Sequence, residues 1–110
     1  MSLINEMEVT ELAKLKDAGE NIRVIDIRQP AELNSGIIPG AEALPMHTIP
    51  LRMSELNPKE KLIMVCRSGA RSAQACMFLQ QQGYDKVYNL RGGMMAWAGS
   101  GLEIGLPQAV

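Results

Sequence analysis

Apolar residues recur along this chain at two spacings, one typical of helices and one typical of strands. Helical spacing over 9–15 predicts a first helix of about three turns, which Gly19 ends. Pro30 suits the first turn of a second, short helix, and Gly36 closes it. Further helical segments are predicted at 51–56, 71–82 and 94–98.

Extended segments lie between these helices. Runs of β-branched and other apolar residues predict strands at 22–27, 62–65 and 87–90, and a brief extended stretch at 43–44 interrupts a proline-rich loop over 37–50. The run at 62–65 is apolar at every position, which is typical of a central strand buried on both faces. The alternation predicts an α/β domain of three layers, with a mostly parallel central sheet and helices on both faces.

The composition is that of an ordinary globular protein. With 110 residues, 46% of them hydrophobic, we expect a single domain over 1–110. The eight methionines and Trp97 are expected to fill its core. No apolar run approaches the ~20 residues of a membrane span, and a net charge of −1 gives no field that would attract nucleic acid or a membrane. We therefore expect neither as a partner.

The cysteine and histidine content favours free thiols. Two cysteines and one histidine are too few for a disulfide scaffold or a structural zinc site, so no metal is expected. No charged-then-apolar leader with a cleavage site opens the sequence, and a cytoplasmic location is expected.

The candidate chemistry is concentrated at Cys66, which directly follows the predicted central strand. Ligands of open α/β sheets bind beyond the carboxyl ends of the strands. Gly69 and its small neighbours permit a tight curl whose N–H groups point inward, next to a helix N-terminus, and such a curl binds anions. The residues expected to bind the substrate around this cysteine are Arg67, Ser68, Gly69, Ala70, Arg71 and Ser72.

This setting predicts an activated thiol at Cys66. A free cysteine has a pKa of about 8.5, and loop amides, a helix N-terminus and the guanidinium groups of Arg67 and Arg71 would together lower it by roughly two pH units. The sulfur would then be anionic and accessible at neutral pH. Cys76, in contrast, lies on the apolar face of a predicted helix, and packing is the better interpretation there.

The thiolate requires a substrate with a good leaving group. His47 is the only histidine, and it lies in a proline-rich loop with no pattern that would orient a base. Arg67 and Arg71 suggest that the leaving group is anionic. Structural roles stay open for both arginines. Arg71 could cap the helix or form an ion pair at its start, and Arg67 could be a solvated charge in the loop.

Three segments of the chain resemble those of single-domain rhodaneses, which are sulfurtransferases. They are the loop 66–72, the stretch 24–41 that includes Asp26, Arg28 and Glu32, and the stretch 89–97. The likeness extends over about 9–104, with Ile37 at a position where the family usually carries histidine. Asp26, Arg28 and Glu32 are interpreted as an ion-pair and hydrogen-bond network that ties the strand end to the next helix.

The resemblance implies a ping-pong reaction without cofactor or metal. Cys66 would take the outer sulfur of thiosulfate, or of another sulfane-sulfur donor, and hold it as a persulfide. A thiol or a sulfur-carrier protein would then accept the sulfur. The loop would stabilise both the thiolate and the persulfide.

Two other functions are compatible with the same pattern. Phosphatases that rhodaneses resemble have five residues between cysteine and arginine, whereas four separate Cys66 from Arg71 here, and none of the four is acidic. The shorter loop suits a sulfur atom better than a phosphoryl group. A persulfide carrier, or a rhodanese-like binding or regulatory module without turnover, is the other alternative.

Overall fold

The structure is a computed structural model that describes residues 4–107, so both ends of the expected domain over 1–110 lie outside the described residues. The strands are β1 (Asn5–Met7), β2 (Ile22–Asp26), β3 (Glu42–Ala43), β4 (Lys61–Val65) and β5 (Val87–Leu90). The α-helices are α1 (Val9–Asp17), α2 (Pro30–Leu33), α3 (Ile49–Arg52), α4 (Ala70–Gln81) and α5 (Gly93–Gly99). Two 3₁₀ turns, Met46–Thr48 and Met53–Glu55, flank α3. No helix within 4–107 combines the length and the apolar character that crossing a membrane requires.

The strands form one sheet in the order β1-β5-β4-β2-β3, and every pairing between them is parallel. The predicted central strand, β4, lies between β5 and β2. Its register places Ile63 opposite Val24 on one side and Met64 opposite Asn89 on the other. The carboxyl end of β4 therefore lies between those of two neighbouring strands, where a ligand site is expected.

Each face of the sheet carries its own core, because alternate side chains of β4 point in opposite directions. Ile63 and Val65 pack with apolar residues of α1 and α5, including Leu12 and Trp97. Leu62 and Met64 pack on the other face with α3 and α4; the members there that come from these helices are Ile49, Ala75, Cys76 and Leu79. Helices thus cover both faces, and the predicted three-layer α/β architecture is confirmed.

Three details differ from the sequence expectations. The first strand, β1, was not predicted, because its three residues carry no apolar pattern of their own and are ordered by pairing with β5. In the loop over 37–50, the extended stretch predicted at 43–44 is present as β3, shifted by one residue, but the 3₁₀ turn Met46–Thr48 was not predicted. Not all methionines fill the core either, since Met95 is 60% exposed and Met77 is 38% exposed.

Candidate active site

Cys66 follows the last residue of β4, and three residues later Gly69 turns the chain into α4. Gly69 has a φ of +99°, a left-handed conformation that favours glycine. A Cβ at this position would also lie 3.3 Å from the Gly92 nitrogen, in the turn after β5, and 3.4 Å from the oxygen of Leu90, the last residue of β5. The missing side chain therefore permits both the curl of the loop and its close packing on that turn.

The loop turns hydrogen-bond donors toward the sulfur. The Gly69 N–H donates to Cys66 Sγ at 3.1 Å and the Ser72 N–H donates at 3.4 Å. Ser72 Oγ lies 3.2 Å from the same sulfur. The inward amides are present, yet Cys66 is only 1% exposed and contributes to the apolar core beside Met64 and Ala75. The sulfur is thus less accessible than the sequence suggested, because it lies between the amide curl and the core.

Burial and hydrogen bonding act in opposite directions on the Cys66 thiol. Burial is the larger single influence and raises the pKa, whereas the Ser72 hydroxyl and the main-chain amides of Ser72, Gly69 and Ser68 lower it, and the net pKa is below the ordinary value. The direction agrees with the sequence prediction, but the cause differs in part. Amides and a hydroxyl do most of the lowering, instead of the guanidinium groups of Arg67 and Arg71.

The N-terminus of α5 holds the outer side of this loop. The Met94 N–H donates to the Cys66 carbonyl at 2.9 Å, and the Met95 N–H donates to the Arg67 carbonyl at 3.0 Å. Gly93 permits this approach, since a Cβ there would lie 2.6 Å from the Arg67 oxygen. The loop carbonyls are bound from outside while its amides face the sulfur, so both sides of its backbone are hydrogen-bonded.

The two arginines of the loop have different surroundings. Arg71 makes a bidentate ion pair with the Glu32 carboxylate at 3.0 and 2.8 Å, which joins α4 to α2. Arg67 is exposed and lines a cleft of about 470 Å³ together with Met94 and Met95. Of the two, Arg67 is the guanidinium whose side chain borders open space beside the loop.

Asp26 and Arg28 form a buried ion pair at the end of β2, with 2.7 Å between Arg28 Nη2 and Asp26 Oδ2. Arg28 also donates to the carbonyl oxygens of Gly36 at 2.8 Å and Glu32 at 3.3 Å. The Glu32 side chain does not join this pair: it accepts from the Gln29 N–H at 2.8 Å and from Arg71. Asp26 and Arg28 thus brace the chain around α2, and Glu32 connects that helix to the loop.

A comparison with known families identifies the family to which this chain belongs. The profile of the family described as Rhodanese-like domain matches residues 8–100. The chain belongs to the rhodanese-like domain family.

Individual relatives extend this match over nearly the whole chain. A protein named Sulfurtransferase from Allochromatium vinosum is 49% identical over 106 residues, which cover 96% of this chain and 99% of the relative. Thiosulfate sulfurtransferase GlpE from Shewanella oneidensis is 32% identical over 97 residues, covering 88% and 95%. The crystal structure of a rhodanese-like domain protein from Staphylococcus aureus is 31% identical with a TM-score of 0.85, covering 96% and 100%. The rhodanese resemblance read from the sequence is confirmed.

The second cysteine of this rhodanese-like chain has a different environment. Cys76 is buried on α4, and burial raises the pKa of its thiol to about 12. Both cysteines are free thiols. The packing role predicted for Cys76 fits this burial. Within 4–107, no group of three or more His, Cys, Asp or Glu side chains is arranged to hold a metal ion.

Two residues beneath the loop, Asn89 and Glu6, were not among the site residues expected from the sequence. Asn89, on β5, is 3% exposed, and its Nδ2 donates to the Gly69 carbonyl at 3.2 Å and to Glu6 Oε2 at 3.1 Å. A signal for Asn89 was present, because it is an uncharged polar side chain within the apolar strand segment 87–90. Glu6 carried no such signal, since its strand was not predicted.

The Glu32–Arg71 pair predicts a pH-dependent contribution to stability. The hydrogen bond from Arg71, with a further one from the Gln29 amide, lowers the pKa of Glu32 from 4.5 to about 2. A carboxylate with a lowered pKa in the folded state stabilises the fold above its ordinary pKa, and this contribution is lost as the pH falls toward 2. We expect Glu32→Gln to lower the free energy of unfolding at pH 7, by less than about 1 kcal/mol because the pair is partly exposed.

Urea unfolding of the wild type and Glu32→Gln at pH 7 and pH 2.5 measures this effect, and the difference should shrink at the lower pH. Arg71→Gln is the matched variant, because it breaks the same pair from the other side and should show the same pH dependence. An equal difference at both pH values would contradict the prediction.

Proposed function

We propose that this protein is a sulfurtransferase that moves a sulfane sulfur from thiosulfate or a persulfide donor to a thiophilic acceptor through a persulfide on Cys66. One observation carries the proposal. The Cys66 sulfur accepts hydrogen bonds from the N–H groups of Gly69 and Ser72 at the carboxyl end of the central strand. Amide donors of this kind favour the anionic form of a nucleophile. The names of the relatives, Sulfurtransferase and Thiosulfate sulfurtransferase GlpE, support the same reaction.

In the first half-reaction, the Cys66 thiolate attacks the outer sulfur of thiosulfate. The new S–S bond forms while the bond to the sulfite group breaks, and sulfite leaves with that electron pair. The negative charge of the attacking thiolate ends on the outer sulfur of the persulfide, so neither an oxidant nor a proton is consumed. Because the step removes no proton, a site without a histidine base can carry it out.

In the second half-reaction, the thiolate of a thiol or of a sulfur-carrier protein attacks the outer persulfide sulfur. The S–S bond breaks, the acceptor leaves as a persulfide and Cys66 returns to the thiolate. The burial of Cys66 favours donors and acceptors that present an unhindered terminal sulfur. The free thiols of the chain are compatible with a reducing compartment, and we propose a cytoplasmic location.

The loop residues have separate tasks in this proposal. The amides of Ser68, Gly69 and Ser72 stabilise charge on the sulfur. Arg67, which lines the cleft, attracts the anionic donor and its leaving group. Arg71 acts through its ion pair with Glu32, which fixes the start of α4, so its contribution to substrate binding is smaller than the sequence suggested.

Mass spectrometry of the intact protein after incubation with thiosulfate tests the proposal. We expect one added sulfur atom, located on the peptide that contains Cys66 and removed by cyanide or a thiol. The peptide that contains Cys76 is an internal control, because the raised pKa of that thiol, about 12, leaves it almost fully protonated at neutral pH.

The outcome also separates the alternative functions. A persulfide that forms on Cys66 but passes only to a protein acceptor would indicate a carrier. An unmodified Cys66 in the presence of several good donors would contradict the proposal and favour a binding module. Hydrolysis of an aryl phosphate that requires Cys66 would favour a phosphatase.

A further inference from the structure

The hydrogen bonds beneath the loop fix the orientation of the Asn89 amide. Its Nδ2 lies 3.1 Å from Glu6 Oε2 and 3.2 Å from the Gly69 carbonyl oxygen. A carboxylate and a carbonyl both accept hydrogen bonds, so the NH₂ group must face them. The amide oxygen, Oδ1, therefore faces the remaining neighbour, the Ser72 hydroxyl.

This orientation in turn determines where the Ser72 proton lies. A hydroxyl has one proton to donate, and Ser72 Oγ contacts two atoms, Asn89 Oδ1 and Cys66 Sγ. Asn89 Oδ1 can only accept, whereas a thiol can donate. With a neutral thiol, the Ser72 proton points to Asn89, and Ser72 offers a lone pair to the S–H group of Cys66. Ser72 is 0% exposed and Asn89 is 3% exposed, so bulk water does not compete for these bonds.

We propose that Asn89 is a positioning residue that holds the Ser72 proton away from Cys66 in the thiol form, and that this proton turns to the sulfur when the sulfur becomes anionic. Ionisation removes the S–H donor, and the anionic sulfur then competes with a neutral amide oxygen for the hydroxyl. Hydrogen bonds to an ionised acceptor are about twice as strong as neutral ones, so the hydroxyl rotates. The inference rests on the proposed role of Cys66 as a nucleophile.

Asn89 and Ser72 therefore have opposite effects on the stability of the Cys66 thiolate. Ser72 stabilises the thiolate by donating to it, whereas Asn89 opposes this donation by accepting the same proton. Asn89 would act only through Ser72. The charged or titratable groups in the loop and on the surrounding elements include Glu6, Asp26, Arg28, Glu32, Arg67, Arg71 and Cys76. Ser72→Ala and Asn89→Leu leave the formal charge of all of them unchanged.

The experiment is the pH dependence of Cys66 alkylation by iodoacetamide, followed on the Cys66 peptide by mass spectrometry. We expect Ser72→Ala to raise the apparent pKa of Cys66 by about one pH unit, since the thiolate loses a donor. Asn89→Leu, which is similar in shape, should lower it by about the same amount, because Ser72 becomes free to donate. The double variant should behave as Ser72→Ala alone.

A merely structural role for Asn89 predicts a different result. Loss of the bonds to Gly69 and Glu6 would loosen the loop and raise the pKa of Cys66 in Asn89→Leu, as in Ser72→Ala. A rise, an unchanged value, or additive effects in the double variant would overturn the inference. Thermal unfolding checks that each variant is folded, and Asn89→Ala replaces Asn89→Leu if the latter is not.

Alkylation does not depend on sulfur transfer, so the two proposals can fail separately. Opposite pKa shifts with no persulfide would sustain the role of Asn89 and contradict the sulfurtransferase function. A persulfide without opposite shifts would leave that function standing and refute the role of Asn89.

Discussion

Replacing Cys66 with serine is expected to lower the rate of sulfur transfer from thiosulfate to cyanide at least about a thousandfold. Serine is nearly isosteric and can still accept hydrogen bonds from the Gly69 and Ser72 amides. Its hydroxyl, however, stays protonated at neutral pH and cannot hold a sulfane sulfur. The loss should appear in kcat and in the mass of the thiosulfate-treated protein together. Initial rates of thiocyanate formation measure the effect.

Cys76→Ser is the matched variant, since it makes the same atomic change at the other cysteine. That side chain lies in the apolar core one turn along α4 from Ser72, and the variant should keep the turnover of the wild type while losing some stability. If both variants lost turnover equally, or if Cys66→Ser retained it, Cys66 would not be the sulfur-carrying residue.

Replacing Arg28 with methionine is expected to lower the free energy of unfolding by about 3–5 kcal/mol. The substitution leaves the Asp26 carboxylate, which is 1% exposed, without its ion-pair partner. It also removes the hydrogen-bond donors to the carbonyl oxygens of Gly36 and Glu32. An uncompensated buried charge is among the most destabilising changes in a protein. Urea unfolding at pH 7, followed by circular dichroism, gives the difference.

Arg52→Met is the control for this prediction, because it removes the same side chain from an exposed pair with Glu55. Such a pair lies in water, and its loss should change stability little. Similar losses in both variants would mean that the burial of the Asp26–Arg28 pair does not determine its contribution.

The central architecture could be predicted because it depends on local pattern. The uninterrupted apolar run at 62–65 identified β4, and helical spacing identified α1 and α4 to within a residue or two. β1 could not be found in this way, since its order comes from pairing with β5, and Asn5 lies opposite Tyr88. Contacts between such distant segments leave no periodicity in either of them.

The same distinction applies to the site. The curl around Cys66 is encoded by contiguous residues, so its inward amides could be expected from Gly69 and the helix that follows. The pairing of Arg71 with Glu32 joins residues 39 positions apart, and the contact of Asn89 with Glu6 joins residues 83 positions apart. The first contact gives Arg71 an ion-pair partner, and the second places Asn89 beneath the loop. Only the three-dimensional fold reveals such long-range contacts.

The binding of the loop carbonyls by α5 has a consequence for the energy of charge formation. In water, solvent dipoles must reorient around a new anion, and that reorganisation is part of the activation barrier. Here the Met95 amide binds the Arg67 carbonyl, which shares its peptide unit with the Ser68 N–H that lowers the pKa of Cys66. The fold has therefore oriented this peptide dipole before the sulfur becomes charged, and the dipole does not have to turn when the charge forms.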